Sequence, residues 1–508
     1  MPVQLAPSSL KTTDYWLIFA LSMALSAWLI AIDPVLNRDA ILYLRSADAY
    51  LQDGLVASLQ LYGRPLLSVC FALVHQLTGL PLVFAGLLLT SLYYALFCVA
   101  FVATVKTLGG DRRIQILAAA VVLSHPALND QRSAIVRDPA YWGLVLLAFR
   151  ELLLYLQRPV LRHQLRWSCY ILLASLFRFE GLFFAVLAPL SLLATKDFSH
   201  RWRHSLQLWM PNILVLIAAL TCLLLFQDSF GQGGGIRTYL DRLQAFPENF
   251  GEMAAATADT MLDRHSREHA SIAVLAGLTA ILLVNICRAL SWPWVVVLLW
   301  GAGGKRVVRL RHDDAVLLWA HLLICLLYLA LFTLINRFML ERYASQFTIF
   351  ALLFLPFVLD SMLRKGRRSL QRWLVVGLLL AMSLDSVHNN DYRKAYLRDA
   401  ANWLQHHTPE QASLISNSHY LAYFSGRQFD WKKATASNFE WRKLLGYQQH
   451  WQGGDYLAML IEPQDIPSWE AFLRDNSLTE TIAFDGGRHG MVSIVHLSAE
   501  PGERRMSH

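Results

Sequence analysis

Long apolar runs recur along the chain from Tyr15 to about Leu384, and short polar connections separate them. A soluble domain cannot bury so much apolar surface, and 55% of the 508 residues are hydrophobic while only 16% are charged. After about Asp385 the composition becomes that of an ordinary soluble sequence. We therefore predict a polytopic membrane domain at residues 1–384 and a small water-facing domain at residues 385–508.

Lysine and arginine are concentrated in five short connections between the apolar runs. These basic residues are Lys106, Arg112 and Arg113; Arg158, Arg162 and Arg166; Lys196, Arg201 and Arg203; Lys305, Arg306, Arg309 and Arg311; and Arg364, Lys365, Arg367, Arg368 and Arg372. Cytoplasmic connections of membrane proteins carry such an excess of basic residues. The net charge of +8 is therefore an orientation signal, and we expect no nucleic-acid partner. The N-terminus is predicted to be cytoplasmic.

With those connections on the cytoplasmic side, the apolar runs predict about eleven transmembrane helices. The predicted spans are residues 15–32, 83–105, 114–128, 141–156, 167–177, 182–195, 205–226, 281–302, 315–335, 344–360 and 373–384. Residues 65–79 are predicted to form a juxtamembrane helix on the outer surface, and residues 227–270 an outer loop. The predicted fold class is thus a mostly α-helical membrane bundle followed by a C-terminal α/β domain.

The last part of the chain carries the patterns of a small α/β fold. Residues 391–407 predict an amphipathic helix, and residues 412–426 and 456–463 predict strands. Asp485, Gly486 and Gly487 predict the turn of a hairpin between two further strands. Three tryptophans of this region could stack on a saccharide acceptor, but burial in the core is the simpler interpretation. They are Trp431, Trp441 and Trp451.

The segment "DAILYLRSADAYLQDG" at residues 39–54 predicts an amphipathic helix directly after the first span. Its polar face is formed by Asp39, Tyr43, Ser46 and Tyr50, and its apolar face by Leu44, Ala47 and Leu51. An interfacial helix whose polar side meets water explains this pattern, and an N-cap explains Asp39. From the residues alone, these interpretations are simpler than catalysis.

Ionisable side chains also occupy three later turns on the predicted outer side. Arg137 and Asp138 precede Pro139 in a good helix start, whereas Arg178 and Glu180 interrupt apolar sequence in "SLFRFEGLFF". Arg342 and Tyr343 lie in "INRFMLERYASQF". Arginines bind phosphate through several N–H groups, and carboxylates can accept a proton from a hydroxyl nucleophile. We therefore expect these groups to line one pocket beside the outer leaflet and to act on a lipid phosphate.

The order of these motifs resembles that of the GT-C superfamily of integral membrane glycosyltransferases. The resemblance is to the bacterial family-39-like branch, which is similar to protein O-mannosyltransferases and lipid A aminoarabinose transferases. It rests on "DAILYLRSADAYLQDG", "YGRPLLSVCFALVHQLTG", "RDPAYWGLVLLAFRELLLYL", "LLASLFRFEGLFF" and "ERYASQFTIFALLFLPF". It implies an inverting transfer from a polyprenyl-phosphate-linked sugar to a glycan, lipid or protein acceptor, on the periplasmic face of the bacterial inner membrane.

The resemblance also implies roles for individual residues. Asp39 corresponds to the general base, the region of Asp138 to a second acidic position, and Arg178 to the basic residue of an outer turn. Asp33, at the end of the first span, is a rival for the role of base. The expected substrate-binding residues are Tyr43, Arg64, Arg137, Asp138, Arg178, Glu180, Arg342 and Tyr343. No cofactor is assigned, and a divalent cation stays open because Ala40 stands where family members often have glutamate.

Three other functions remain open at this point. An O-antigen ligase or polymerase would also use polyprenyl-linked sugars. A transporter or flippase of such lipids would be expected to show internal repeats and charges near the middle of the membrane. No repeat is evident in this sequence, and the charged clusters lie at the predicted outer boundary. A non-catalytic scaffold would not require those clusters to converge.

Overall fold

The computed structural model describes residues 9–33, 35–196, 199–225, 244–303, 310–365, 369–387, 394–431, 441–446, 451 and 453–497. Residues 227–243 of the predicted outer loop lie outside these ranges, as do Lys305, Arg306, Arg309, Arg367 and Arg368. The chain forms two compact units. The membrane unit contains Met1–Leu29 and Tyr43–His388, and the C-terminal unit contains Ile30–Leu42 and Asn389–His508.

Helices build the described part of the membrane unit. They are α1 (Thr12–Ile32), α2 (Arg38–Leu61), α3 (Leu66–Thr78), α4 (Leu82–Thr107), α5 (Arg112–Leu123), α6 (Pro126–Asn129), α7 (Asp138–Gln157), α8 (Leu161–Phe177), α9 (Gly181–Leu187), α10 (Arg201–Leu225), α11 (Phe246–Met261), α12 (Ala270–Leu290), α13 (Trp292–Gly303), α14 (His312–Asn336), α15 (Ser345–Leu352), α16 (Leu355–Lys365) and α17 (Ser369–Val387). The last residues of α1 and the first residues of α2 belong to the C-terminal unit.

Among the described residues, five helical segments are long and apolar enough to cross a bilayer. They are Thr12–Ile32, Leu82–Thr107, Asp138–Gln157, Arg267–Leu290 and His312–Asn336. A sixth span is reached if the pair Glu341–Leu352 and Leu355–Arg364, which is bent by 44°, counts as one crossing. The chain is therefore a multi-pass membrane protein, as predicted. The number of about eleven crossings is not confirmed.

Two predicted spans are divided or shortened by breaks in the helix. Residues 114–128 form α5 only as far as Leu123, and a new short helix starts at Pro126. Residues 182–195 form α9 and then the 3-10 helix Ala188–Ala194, which has Pro189 in its first turn. Proline has no N–H to give to the preceding turn, so it begins a new helical segment more readily than it continues one.

The predicted span at residues 281–302 is wrong in its position. The long apolar helix α12 starts at Ala270, and it ends where Ser291 adopts a positive φ of 63°. Helix α13 then starts at Trp292 with Pro293 in its first turn, so the apolar sequence continues while α12 does not. The predicted outer loop at residues 227–270 is also partly wrong, because residues 246–261 of it form α11.

Helix α7 is the most enclosed of the five spans. Within its most apolar window 78% of the residues are buried, compared with 22% for α1. It packs against α4 and α8, and the fully buried Trp142 contacts the rings of Tyr94 and Phe97 at 5.9 and 5.5 Å. Close packing rather than exclusion of water holds helices together in lipid. The first residue of α7, Asp138, is therefore fixed on a well-supported element.

The described part of the C-terminal unit combines four helices with a four-stranded sheet. The helices are α18 (Ala395–His407), α19 (His419–Phe424), α20 (Trp441–Leu445) and α21 (Ile466–Asp475), and the strands are β1 (Leu414–Ser416), β2 (Tyr456–Ile461), β3 (Glu480–Asp485) and β4 (Met491–His496). The strand order is β1-β2-β4-β3. Strands β1 and β2 are parallel, and the other two pairs are antiparallel.

The core of this unit forms between the sheet and α18. The buried face of α18 includes Leu397 and Leu404, which belong to one cluster with Ile494 of β4. Val35, from the segment that follows α1, is buried in the same cluster. Trp441 and Trp451 are buried in a second cluster on this sheet, which fits the simpler interpretation of their role.

The predicted strand at residues 412–426 is largely replaced by a helix. Only Leu414–Ser416 pair with the sheet, and α19 follows almost at once. The side chain of Ser418 accepts a hydrogen bond from the backbone of Leu421 and so caps the first turn of α19. Short serine and asparagine side chains form local hydrogen bonds to the backbone in competition with strand pairing. This explains why a helix replaces most of the predicted strand.

Candidate active site

The site in the membrane unit is built around Arg178, which directly follows α8. Its side chain is only 7% exposed and donates hydrogen bonds to Asp138 and Glu180. Asp138 is 3% exposed and Glu180 is 22% exposed. A buried arginine is costly unless carboxylates and further acceptors surround it. Two carboxylates from different turns thus hold one guanidinium group at the start of α7.

A tight turn places Arg178 and Glu180 next to each other in the chain. The backbone N–H of Gly181 donates to the carbonyl of Arg178 at 3.0 Å, and α9 begins at Gly181. A Cβ atom at Gly181 would lie 2.7 Å from the backbone nitrogen of Ser175. Because that neighbour is backbone, it cannot swing aside as a flexible side chain would. Glycine is therefore required where this turn approaches α8.

The charge state of Glu180 follows from its neighbours. Burial raises the pKa of Glu180, but the charge and the hydrogen bond of Arg178 outweigh burial, and Arg137 contributes in the same direction. The result is a pKa lowered from 4.5 to about 2. Glu180 is therefore ionised at neutral pH.

Aromatic rings surround the guanidinium group of Arg178. Its Cζ atom lies 5.7 Å from the ring centre of Tyr141 and 5.8 Å from that of Tyr343. The Cζ atom of Arg342 lies 5.7 Å from the same Tyr343 ring. Such distances allow favourable cation–π attraction. Tyr343 thus brings the turn at residues 341–344 to Arg178, a contact between distant parts of the sequence.

Arg137 connects this group to the second helix of the chain. It donates a hydrogen bond to the hydroxyl of Tyr62, and the Tyr62 ring lies 5.5 Å from that of Tyr43. We call Arg137, Asp138, Arg178, Glu180 and Arg342 the arginine cluster. Its three guanidinium groups and two carboxylates leave one positive charge in excess. The Nε atom of Arg178 is buried and has no hydrogen-bond partner among the described residues.

The structure brings together most of the predicted substrate-binding residues. Tyr43 and Tyr343 belong to the surroundings of the arginine cluster through the rings described above, and Arg64 lies two residues after Tyr62, in the turn between α2 and α3. Tyr62 and Tyr141 were not predicted. Both occur in motifs that carry the resemblance, "YGRP" and "RDPAYWG", but nothing local to either motif indicates that its tyrosine meets an arginine.

The two candidate bases, Asp33 and Asp39, belong to the C-terminal unit. Asp33 is buried after the end of α1 and accepts a hydrogen bond from the backbone of Val35 at 3.3 Å. Asp39 is the second residue of α2, so the N-cap interpretation of this residue is wrong. A carboxylate in the first turn still interacts favourably with the helix dipole.

The predicted water-facing side of α2 is buried at two of its positions. Tyr43 is 4% exposed, and Ser46 is fully buried with its hydroxyl 2.8 Å from that of Ser58. Gly54 breaks α2 with a φ of 81° and a ψ of −167°. Only glycine adopts such a backbone readily, and the break precedes the segment in which Ser58 contacts Ser46. A simple interfacial helix does not explain these contacts.

A cavity of about 690 Å³ lies within the C-terminal unit, beside the start of α2. Arg38 and its preceding residues line one side, while Tyr420, Arg442 and Asp465 line others. The pKa of Tyr420 is raised to about 12, mainly by burial. Aromatic and charged groups together suit a hydroxylated, polar ligand of moderate size.

Among the residues that the structure describes, no group of three or more histidine, cysteine, aspartate or glutamate side chains could hold a metal ion. The divalent cation that the sequence leaves open therefore has no such group of ligands within these ranges.

No family model and no curated protein matches the chain. Among solved structures, the chain is similar to the arabinofuranosyltransferase AftD from Mycobacteria, with 15% identity, a TM-score of 0.50 and coverage of 98% of this chain. It is also similar to the oligosaccharyltransferase of Archaeoglobus fulgidus, with 13% identity, a TM-score of 0.50 and coverage of 89% of this chain and 69% of that one. The chain spans only 40% of the length of AftD. These likenesses show the fold alone: the chain has the GT-C fold, which its motifs predicted.

Proposed function

We propose that the protein is a membrane glycosyltransferase that moves a sugar from a polyprenyl-phosphate donor to the hydroxyl of an acceptor. The observation that carries the proposal is the arginine cluster at the start of α7, on a GT-C fold. Its excess positive charge suits a phosphate, and its place at the end of a membrane helix suits a donor whose tail stays in lipid.

The donor phosphate is the first ligand that the cluster would bind. Both terminal nitrogens of Arg178 already donate to Asp138 and Glu180, so we assign Arg178 to organising the cluster as well as to its charge. A guanidinium group has five N–H donors, and the described bond of Arg137 to Tyr62 uses one of them. Arg137 and Arg342 would contact the phosphate as negative charge develops on it.

The acceptor would be activated by Asp39. In an inverting displacement, the acceptor hydroxyl gives its proton to the Asp39 carboxylate while its oxygen attacks the anomeric carbon. The bond from that carbon to the phosphate oxygen breaks, and the polyprenyl phosphate leaves with the electron pair. Glu180 is a poor base at neutral pH because its pKa is about 2. Asp33 remains the alternative to Asp39.

The reaction would take place on the periplasmic face of a bacterial inner membrane. The basic connections support a cytoplasmic N-terminus, and residues 385–508 would then form a periplasmic domain. The cavity beside the start of α2 would admit the acceptor, whether a glycan, a lipid or a protein. Membrane lipid is a further expected partner.

The assignment of the base is tested by three single substitutions in purified protein. Asp39→Asn keeps the shape of the side chain but cannot accept the proton, so transfer should fall by about 10²–10⁴-fold. Asp53→Asn is the control, because Asp53 is an exposed residue of the same helix. Normal turnover in Asp39→Asn together with a loss in Asp33→Asn would move the role to Asp33. Normal turnover in both Asp39→Asn and Asp33→Asn would contradict the proposed mechanism.

A further inference from the structure

A second cavity, of about 530 Å³, lies in the membrane unit between α1, α4 and α7. Its polar lining is formed by Tyr15, Lys106, Arg150 and Gln157, and its apolar lining includes Val99, Ala103 and Leu154. Its volume lies within the usual range of ligand pockets. None of its lining residues belongs to the arginine cluster, so the proposed reaction does not account for it.

The cavity lies far from the arginine cluster along α7. Arg150 is about 18 Å and Gln157 about 28 Å beyond Asp138, at 1.5 Å per helical residue. Gln157 is the last residue of α7, Lys106 the last but one of α4, and Tyr15 lies in the first turn of α1. Tyr15, Lys106 and Gln157 therefore lie at the ends of three membrane-spanning helices, where lipid headgroups are expected, and Arg150 lies about two turns further along α7 towards its middle.

The positive charge of this cavity is poorly neutralised. Within the described part of the chain, Arg150 forms one ion pair, with Glu151 at 3.5 Å, and Glu151 also has a contact of 2.6 Å to His163. The Nε atom of Arg150 is buried and has no hydrogen-bond partner within the described residues. No ion pair is recorded for Lys106 in the same ranges. Two cations thus border the cavity, and among the described residues only Arg150 of the two has an ion-pair partner.

The apolar lining of the cavity extends along α4 towards the middle of that helix. Val99 lies two turns before Lys106, about 10 Å deeper along α4. A free phosphate would use only the cations, whereas a lipid would also cover Val99, Ala103 and Leu154. We propose that this cavity binds an anionic phospholipid, with its phosphate between Lys106 and Arg150 and an acyl chain along the apolar side. Basic pockets between membrane helices are suited to such headgroups.

The proposal is tested by lipid binding to the purified full-length chain, independently of transferase activity. Delipidated protein in a neutral detergent is titrated with phosphatidylglycerol or phosphatidylcholine, and retained lipid is counted by native mass spectrometry. Phosphatidylglycerol should bind at least about tenfold more tightly than phosphatidylcholine, because each of the two cations should strengthen the binding of an anionic lipid about fivefold. Lys106→Gln and Arg150→Gln should each weaken binding about fivefold. Arg158→Gln is the matched control, because Arg158 is an exposed cation that does not line the cavity.

Two further arms separate the sources of the phosphate and guard against misfolding. Inorganic phosphate at millimolar concentration should not displace the lipid, and Ala103→Phe should abolish binding while both cations remain. Equal binding of the two lipids would overturn the proposal, and so would displacement of the lipid by millimolar inorganic phosphate. If Arg150→Gln does not fold, Lys106→Gln and Ala103→Phe carry the test, and unchanged binding in both would contradict it.

Discussion

At the scale of single residues, the buried ion pairs of Arg178 allow the effect of a substitution on stability to be predicted. Replacing Arg178 with alanine leaves Asp138 and Glu180 without the guanidinium group that donates a hydrogen bond to each of them. Breaking a buried ion pair in this way costs about 3–5 kcal/mol, so we expect the free energy of unfolding of Arg178→Ala to fall by that amount. Unfolding by denaturant in detergent micelles measures it.

The matched comparison for this prediction removes all three charges together. The variant Asp138→Asn, Arg178→Gln, Glu180→Gln keeps the size of the side chains and leaves no charge buried alone, so it should be more stable than Arg178→Ala. Arg178→Ala with the stability of the wild type would mean that the ion pairs of Arg178 are not formed in the folded chain.

The lowered pKa of Glu180 should also make the stability of the protein depend on pH. Its pKa is lowered from 4.5 to about 2 in the folded chain, so the ionised form stabilises the fold above pH 4.5, and this contribution is lost as the pH falls towards 2. The stability difference between wild type and Glu180→Gln should therefore shrink over this range. A difference that stays constant down to pH 2 would contradict the lowered pKa.

The residue types of the site were predictable from the sequence, but their contacts were not. Charged residues in short apolar turns stand out because burying them in a membrane is costly. The contact of Arg178 with Asp138 joins residues 40 positions apart, and no local pattern encodes such a distance. The ring of Tyr343 between Arg178 and Arg342 is likewise a product of tertiary packing.

At the scale of elements, the turn between α8 and α9 determines where Arg178 and Glu180 lie. A methyl group at Gly181 would come within 2.8 Å of the Cα atom of Ser175, so Gly181→Ala should shift the turn and cost about 1–3 kcal/mol of stability. Gly277→Ala is the matched control, because nothing lies within 4 Å of a Cβ atom there. Thermal unfolding in detergent checks both, and equal stability of the two variants would contradict the tight approach.

Hydropathy predicted the elements well where one unbroken helix fills one apolar run. The spans at residues 15–32, 83–105 and 315–335 correspond to α1, α4 and α14 within a few residues. It failed where the helix breaks inside an apolar run, as at Ser291. Pro293 was the available signal, since the residues before a proline rarely continue a helix.

At the scale of the whole molecule, the proposed periplasmic reaction requires the arginine cluster and the basic connections to lie on opposite sides of the membrane. In a background without the native cysteines, Phe179→Cys should react with a membrane-impermeant thiol reagent in intact cells. Arg158→Cys should react only after the membrane is opened. Both residues are exposed in the structure. The reverse pattern would place the cluster in the cytoplasm and remove the proposed periplasmic reaction.

The most direct test of the central claim is transfer by the purified chain in proteoliposomes with defined polyprenyl-phosphate sugars. We expect that at least one donor is consumed, that its polyprenyl phosphate is released, and that the sugar appears on an acceptor hydroxyl with inverted anomeric configuration. Arg137→Gln and Arg342→Gln should weaken this reaction. Movement of the intact lipid-linked sugar across the bilayer, without cleavage of any donor, would contradict the claim and indicate a flippase instead.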